Sequence, residues 1–121
     1  MENSANAIKR KTEDILLNLG IAPNILGFGY ICDGVDLAIT NPVVMRHLCK
    51  VLYPEIAKKN ATTSARVERG IRHAIDLIYS RADLDELYKT VGFFGSYDKG
   101  KATAGEFISA VALKVKRSME L

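Results

Sequence analysis

The residues of this chain best equipped for hydrogen-bond chemistry are gathered in one stretch, NATTSARVERGIRHAIDLIYSR at 60–81. Three arginines, Arg66, Arg69 and Arg72, recur there every third residue, with Glu68, His73 and Asp76 among them. A guanidinium presents a planar fork of donors, a carboxylate accepts, and an imidazole does either. At about 100° per residue, Val67, Ile71, Ala74 and Ile78 fall in one narrow apolar stripe, with Arg66, Arg69, Arg72, His73 and Asp76 on the opposite side. The spacing predicts a helix buried along one side and cationic along the other. Between Lys58 and Arg81, six Lys or Arg stand against Glu68 and Asp76, a local excess larger than the net +3 of the whole chain. Such an excess points to a polyanionic partner, the alternative being an ordinary solvated helix face.

Other chemistries find less support. Cys32, His47, Cys49 and His73 are the soft-metal candidates, but His47-x-Cys49 is an isolated pair without CxxC or HxxxH spacing, so no metal site is expected. An enzyme would need a reactive thiol at Cys32 or Cys49, and a buried structural cysteine is the competing reading. The acids Glu13, Asp14, Asp83, Asp85 and Glu86 fall at helix starts or on solvent faces, where acids are common without catalytic meaning. Gly27-Phe-Gly29 follows no strand, which removes the dinucleotide reading, and there is no P-loop. No catalytic residue and no cofactor are expected.

The elements that must position the basic face read as helices nearly throughout; no β-alternating segment of any length stands out. The fold class expected is all-α, one domain of about six helices over residues 7–121, behind a flexible tail at 1–6. A first helix is predicted from about Ile8 to Leu19, ended by Gly20, and a second from about Pro23 to Ile39, weakened by Gly27, Gly29 and Gly34. Asn41-Pro42 opens a third, about 42–53, and Pro54 a short fourth to Lys59. Asn60-Ala61-Thr62 is the turn before the long helix, about Thr63 to Arg81. Asp83 caps a short helix over 84–91, and Gly92–Gly100 is a glycine-bearing loop with Phe93, Phe94 and Tyr97. Thr103 and Glu106 have capping-box spacing at the start of a last helix, with Phe107, Ile108, Val111 and Val115 as its buried side. A short helix, a tight turn and a helix with a cationic face form the layout of a helix-turn-helix that reads DNA. Tyr53 reads as a corner-filling core residue and not as a stacking aromatic. The polar start MENSANAIKRK, the two cysteines and the lack of any membrane-length apolar run predict a soluble, cytoplasmic protein.

Specific residues also carry a family resemblance. LYPEIAKK at 52–59 followed by TTSARVERGIRHAI at 62–75 closely resembles the C-terminal DNA-binding effector domain of the sporulation master response regulator, the stage-zero A protein. Upstream, GIAPNILGFGY is similar to that family's GVPAHIKGY segment; downstream, Lys101-x-Thr103-x-x-Glu106-Phe107-Ile108 resembles its K-P-T-x-x-E-F-I. The resemblance spans about residues 12 to 117. It implies a domain of about six helices that binds a short asymmetric element of double-stranded DNA and regulates sporulation. It carries base reading onto Glu68, Arg69 and Arg72, where an arginine fork suits guanine and a carboxylate suits cytosine. Arg66 and His73 match family positions and are expected at base edges or phosphates, with phosphate favoured for His73. Lys58 and Lys59, by their place at the end of the preceding helix, are candidates for backbone contacts, with plain solvation as the alternative. The family further implies contact with the RNA polymerase sigma factor and a homodimer on tandem DNA sites. This chain departs from the pattern at Gly70, in place of alanine; at Ala102, in place of proline; and across 85–97, the side implicated in the sigma-factor contact. The family joins this domain to a phospho-acceptor receiver, of which residues 1–20 carry no pattern, so the reading is an excised effector domain or a stand-alone paralogue. A protein-interaction module of the same fold, without specific DNA binding, is the alternative function.

Overall fold

A computed structural model of the chain describes residues 4–92 and 100–119. Among these residues there are six α-helices and no strand: α1 (Ser4–Asn18), α2 (Leu26–Thr40), α3 (Tyr53–Lys59), α4 (Ser64–Arg81), α5 (Leu84–Val91) and α6 (Ala104–Ser118). The all-α class read from the sequence is the class observed. Helix α1 begins at Ser4, so residues 4–6, expected in the tail, are helical. The glycine-bearing loop with Phe93, Phe94 and Tyr97 lies outside the described residues.

Helix α2 is the centre of the fold, packing against α1, α4 and α6. Its sequence LGFGYICDGVDLAIT is apolar nearly all round, the mark of a helix enclosed by others, and Phe28, Tyr30, Ile31, Cys32, Val35 and Ala38 are all buried. Around it lie Ile8 and Leu16 of α1 with Leu19 just after it, Val67, Ile71 and Ile78 of α4, and Phe107, Ile108, Val111 and Val115 of α6. The α6 residues are those its periodicity selects, and its start carries the expected capping box: Thr103 accepts from the Glu106 N–H at 3.1 Å while Glu106 accepts from the Thr103 N–H at 3.0 Å.

Two small residues let α2 and α4 meet backbone to backbone. A Cβ at Gly27 would collide with the carbonyl oxygen of Gly70 and lie 2.6 Å from Ala74 Cβ, and a Cβ at Gly70 would lie 3.0 Å from the Tyr30 ring. Gly70, an irregularity when α4 is read alone, is therefore the place where α2 seats.

The segment expected as a single helix over 42–53 is divided. Pro42–Arg46 forms a 3₁₀ turn, His47 breaks it at φ −138°, and Leu48–Leu52 is a π turn leading into α3. Pro54 has no N–H to give the Lys50 carbonyl and its ring would press on that carbonyl in a regular helix; widening the turn before it relieves the conflict. The π turn shows as the Leu52 N–H donating to the His47 carbonyl at 3.1 Å.

Candidate nucleic-acid interface

Helices α3 and α4 and the turn between them form the helix-turn-helix. Leu52, Tyr53, Ile56 and Ala57 pack under Val67, Ile71, Ala74, Ile75 and Ile78, and all are buried. The turn is a Schellman closure: the Thr62 N–H donates to the Ala57 carbonyl at 3.0 Å and the Ala61 N–H to the Lys58 carbonyl at 3.4 Å. Ala61 occupies the left-handed position at φ 51°, where glycine is usual. Thr63 then caps α4, its hydroxyl accepting from the Arg66 N–H at 3.2 Å.

An anchor from outside the motif fixes this turn. Asp33 of α2 accepts from the Asn60 side-chain amide at 2.8 Å and pairs with Lys59 Nζ at 3.2 Å. Asn60 also donates to the Ile56 carbonyl at 2.8 Å, so one side chain closes α3 and joins it to α2. Lys59 thus shares its charge with a carboxylate, whereas Lys58, at the same helix end, is exposed beside the cleft that Asp33, Asp36 and Glu55 also line.

On α4, Ala65, Arg66, Glu68, Arg69, Arg72 and His73 are all exposed, on the side away from the buried stripe. The structure therefore brings the expected site residues of α4 onto one continuous surface, with Lys58 and Lys59 at the neighbouring helix end. It also divides that surface. Arg66, Arg69 and His73 border a cleft of about 760 Å³ that runs between α4, the turn and the start of α2, where Leu26 and Tyr30 form the far wall. Glu68, Arg72 and Asp76 border a second cleft, of about 470 Å³, closed on its far side by Lys101 and Thr103. Arg72 and Glu68 stand 3.8 Å apart, half exposed or more, and Asp76 pairs with Lys101 at 3.1 Å. An exposed pair of this kind contributes little, about 0–1 kcal/mol, so the Arg72 fork separates readily from Glu68 to meet another acceptor.

Tyr53 lies beneath this surface. Burial, followed by the nearby Glu68 and Cys49, pushes its hydroxyl above the ordinary phenol range, against a smaller opposing effect of Arg72. It is a neutral core residue, as its place before Pro54 predicts.

The two thiols differ in setting. Cys32 is buried, and that burial, reinforced by Glu13 and Asp33 and opposed by Lys9, pushes its pKa up to about 12, the reverse of an activated nucleophile. Cys49 is free and exposed, as is His47. Among the described residues no group of three or more His, Cys, Asp or Glu side chains could hold a metal ion. No described helix is long and apolar enough to cross a membrane.

This arrangement, a six-helix domain with a buried-backed basic helix after a tight turn, agrees with what comparison with known families finds. The family model described as sporulation initiation factor Spo0A C terminal matches residues 12–115. The chain belongs to the Spo0A C-terminal family. That family is one of DNA-binding domains in the regulation of transcription at the start of sporulation. The match takes in all of α2 to α5, most of α6 and the second half of α1, so the helices that hold α4 are shared. Within that Spo0A-type scaffold, the sequence reading missed Asp33 and Lys101 as partners of the motif. Both pairings join elements far apart in the chain, and helical periodicity carries no signal for them.

Proposed function

We propose that this Spo0A-type domain binds double-stranded DNA sequence-specifically, with α4 in the major groove. The observation that carries the reading is the exposed Arg66–Arg69–Arg72–His73 surface on a helix whose other side is wholly buried and whose N-terminus follows a capped, anchored turn. Glu68, Arg69 and Arg72 read base edges: each arginine donates to guanine O6 and N7, and Glu68 accepts from cytosine N4. Arg66 and His73 flank them at base edges or phosphates, with phosphate favoured for His73. Lys58 and Lys59 contact the sugar-phosphate backbone, Lys59 at the expense of its ion pair with Asp33. The domain acts in the cytoplasm, as two copies side by side on tandem sites. A sigma-factor contact falls to α5, where Leu84 and Tyr88 are 79% and 66% exposed.

The test begins with selection of preferred duplexes from a random pool. Binding is then followed by fluorescence anisotropy on the selected duplex and on a scrambled one. Arg69→Ala and Arg72→Ala should each lose about 1–3 kcal/mol on the selected duplex, and much less on the scrambled one. Lys58→Ala should weaken both duplexes equally and flatten the salt dependence. No sequence preference at moderate salt, or a normal affinity in the Arg69→Ala, Arg72→Ala double variant, would overturn the reading.

A further inference from the structure

Of the two acids on the α4 surface, Glu68 and Asp76, only Asp76 has no reading role. Asp76 sits seven residues after Arg69, four after Arg72 and three after His73, so it shares their side of α4. Its side chain is 50% exposed. A recognition helix reads bases with its first turns, and its later turns pass the phosphate backbone at the groove wall. Asp76 is in the later part of α4, where a bare carboxylate meets phosphate charge.

The carboxylate is not bare. Lys101 Nζ stands 3.1 Å from it. Lys101 lies outside the helix-turn-helix, just before α6, and the two residues that follow it are pinned. The N–H of Ala102, a buried residue, donates to the Tyr79 hydroxyl on α4 at 3.0 Å, and Thr103 caps α6. The chain at 101–103 is thus stitched to α4 within one turn of Asp76. Without Lys101 the surface has Arg66, Arg69 and Arg72 against Glu68 and Asp76, a single net positive charge; Lys101 adds a second.

We propose that Lys101 is a positioning residue for DNA binding: held at the start of α6, it neutralises Asp76 so that the later turns of α4 can lie against the phosphate backbone. This rests on the DNA-binding reading above. Its effect is on charge near phosphates, so it applies to every duplex alike and sets no base preference. Asp76 in turn stops Lys101 from acting as an unguided cation, which would strengthen binding to any sequence and blunt discrimination.

The experiment is a four-way comparison of wild type, Lys101→Ala, Asp76→Asn and the double variant. Each is titrated by anisotropy against the selected and the scrambled duplex, alongside the Arg69→Ala, Arg72→Ala control, and a thermal melt establishes that each is folded. Lys101→Ala should weaken binding to both duplexes about fivefold, the effect of one unscreened like charge a few ångströms from phosphate. Asp76→Asn alone should bind both slightly more tightly. The double variant, which restores local neutrality, should return to within about twofold of wild type, since the charge balance is again that of the native pair. A Lys101→Ala variant that binds like wild type, while the arginine control has lost binding, would overturn the proposal and leave the DNA reading intact. A double variant as weak as Lys101→Ala would also overturn it, by showing that Lys101 touches phosphate itself. If wild type and the arginine control bind alike, both proposals fall together.

Discussion

Replacing Gly27 by alanine tests whether the α2–α4 crossing or intrinsic helix propensity decides how tightly these helices pack. The added Cβ would meet the Gly70 carbonyl oxygen, Ala74 Cβ at 2.6 Å and the Gly70 carbonyl carbon at 2.9 Å. These are backbone atoms and a Cβ, with no rotamer to swing aside, so α4 must retreat by about 1 Å before ordinary van der Waals separation returns. Overpacking of a filled core costs about 1–3 kcal/mol. Alanine in place of glycine within a helix offsets about 0.5–1 kcal/mol of that. The net loss is about 1–2 kcal/mol, or roughly 4–8 °C in Tm for a domain of this size. Gly29 supplies the control. It lies in the same helix, is exposed, and a Cβ there meets nothing within 4 Å. Gly29→Ala should therefore gain the propensity alone and raise Tm by about 2–4 °C. Thermal unfolding followed by far-ultraviolet circular dichroism, with the two variants and wild type scanned together, gives both signs at once. A Gly27→Ala protein that melts at or above wild type, moving in the same direction as Gly29→Ala, would refute the argument that the crossing is closed to a methyl group.

Ala61→Gly should stabilise the domain by about 0.5 kcal/mol, because relief of the left-handed strain exceeds the added freedom of the unfolded chain; chemical denaturation checks it. Asp33→Ala should release Asn60 and Lys59 together, cost about 1 kcal/mol, and speed amide hydrogen exchange in the turn at 60–62 more than in α4. A thiol reagent at neutral pH should modify the native protein at Cys49 and reach Cys32 only on unfolding, as mass spectrometry of the labelled peptides would show. Because the folded Cys32 thiol has a raised pKa of about 12 against 9.0 for an ordinary one, its contribution to stability is whole below pH 9 and fades as pH rises toward 12. Cys32→Ala should lose stability less steeply than wild type across that window in alkaline denaturation.

How far the sequence speaks for this domain depends on the distance over which each feature is decided. The extent of α4 to within a residue, its buried stripe, the caps at Asp83 and Thr103, and the buried side of α6 all rest on residues within a turn or two of one another, and all appear where spacing places them. The division of 42–53 into a 3₁₀ turn and a π turn was not legible, because it follows from Pro54 pressing on a carbonyl four residues back, to which hydrophobic periodicity is blind. Gly27 reads as a weakness of α2 when set against its own helix alone, and Gly70 as either a weakness of α4 or a place for closer packing; the closer packing is what the structure has, each glycine seated against the other helix. The basic surface was legible as a surface. Its division into an Arg66–Arg69–His73 side and a Glu68–Arg72–Asp76 side was not, since α2 makes the wall of one cleft and the segment before α6 the wall of the other.

The clamp that Asp33 places on Asn60 and Lys59 has a consequence for descent with modification. The angle at which α4 meets a duplex is set by a helix that touches no nucleic acid in the proposed complex, through a carboxylate and a glycine-to-carbonyl seat. Two members of this family with identical reading side chains need not favour the same site if they differ at Asp33 or Gly27. Target choice can drift between lineages through substitutions away from the reading surface, and a comparison of the reading side chains alone would score such proteins as equivalent.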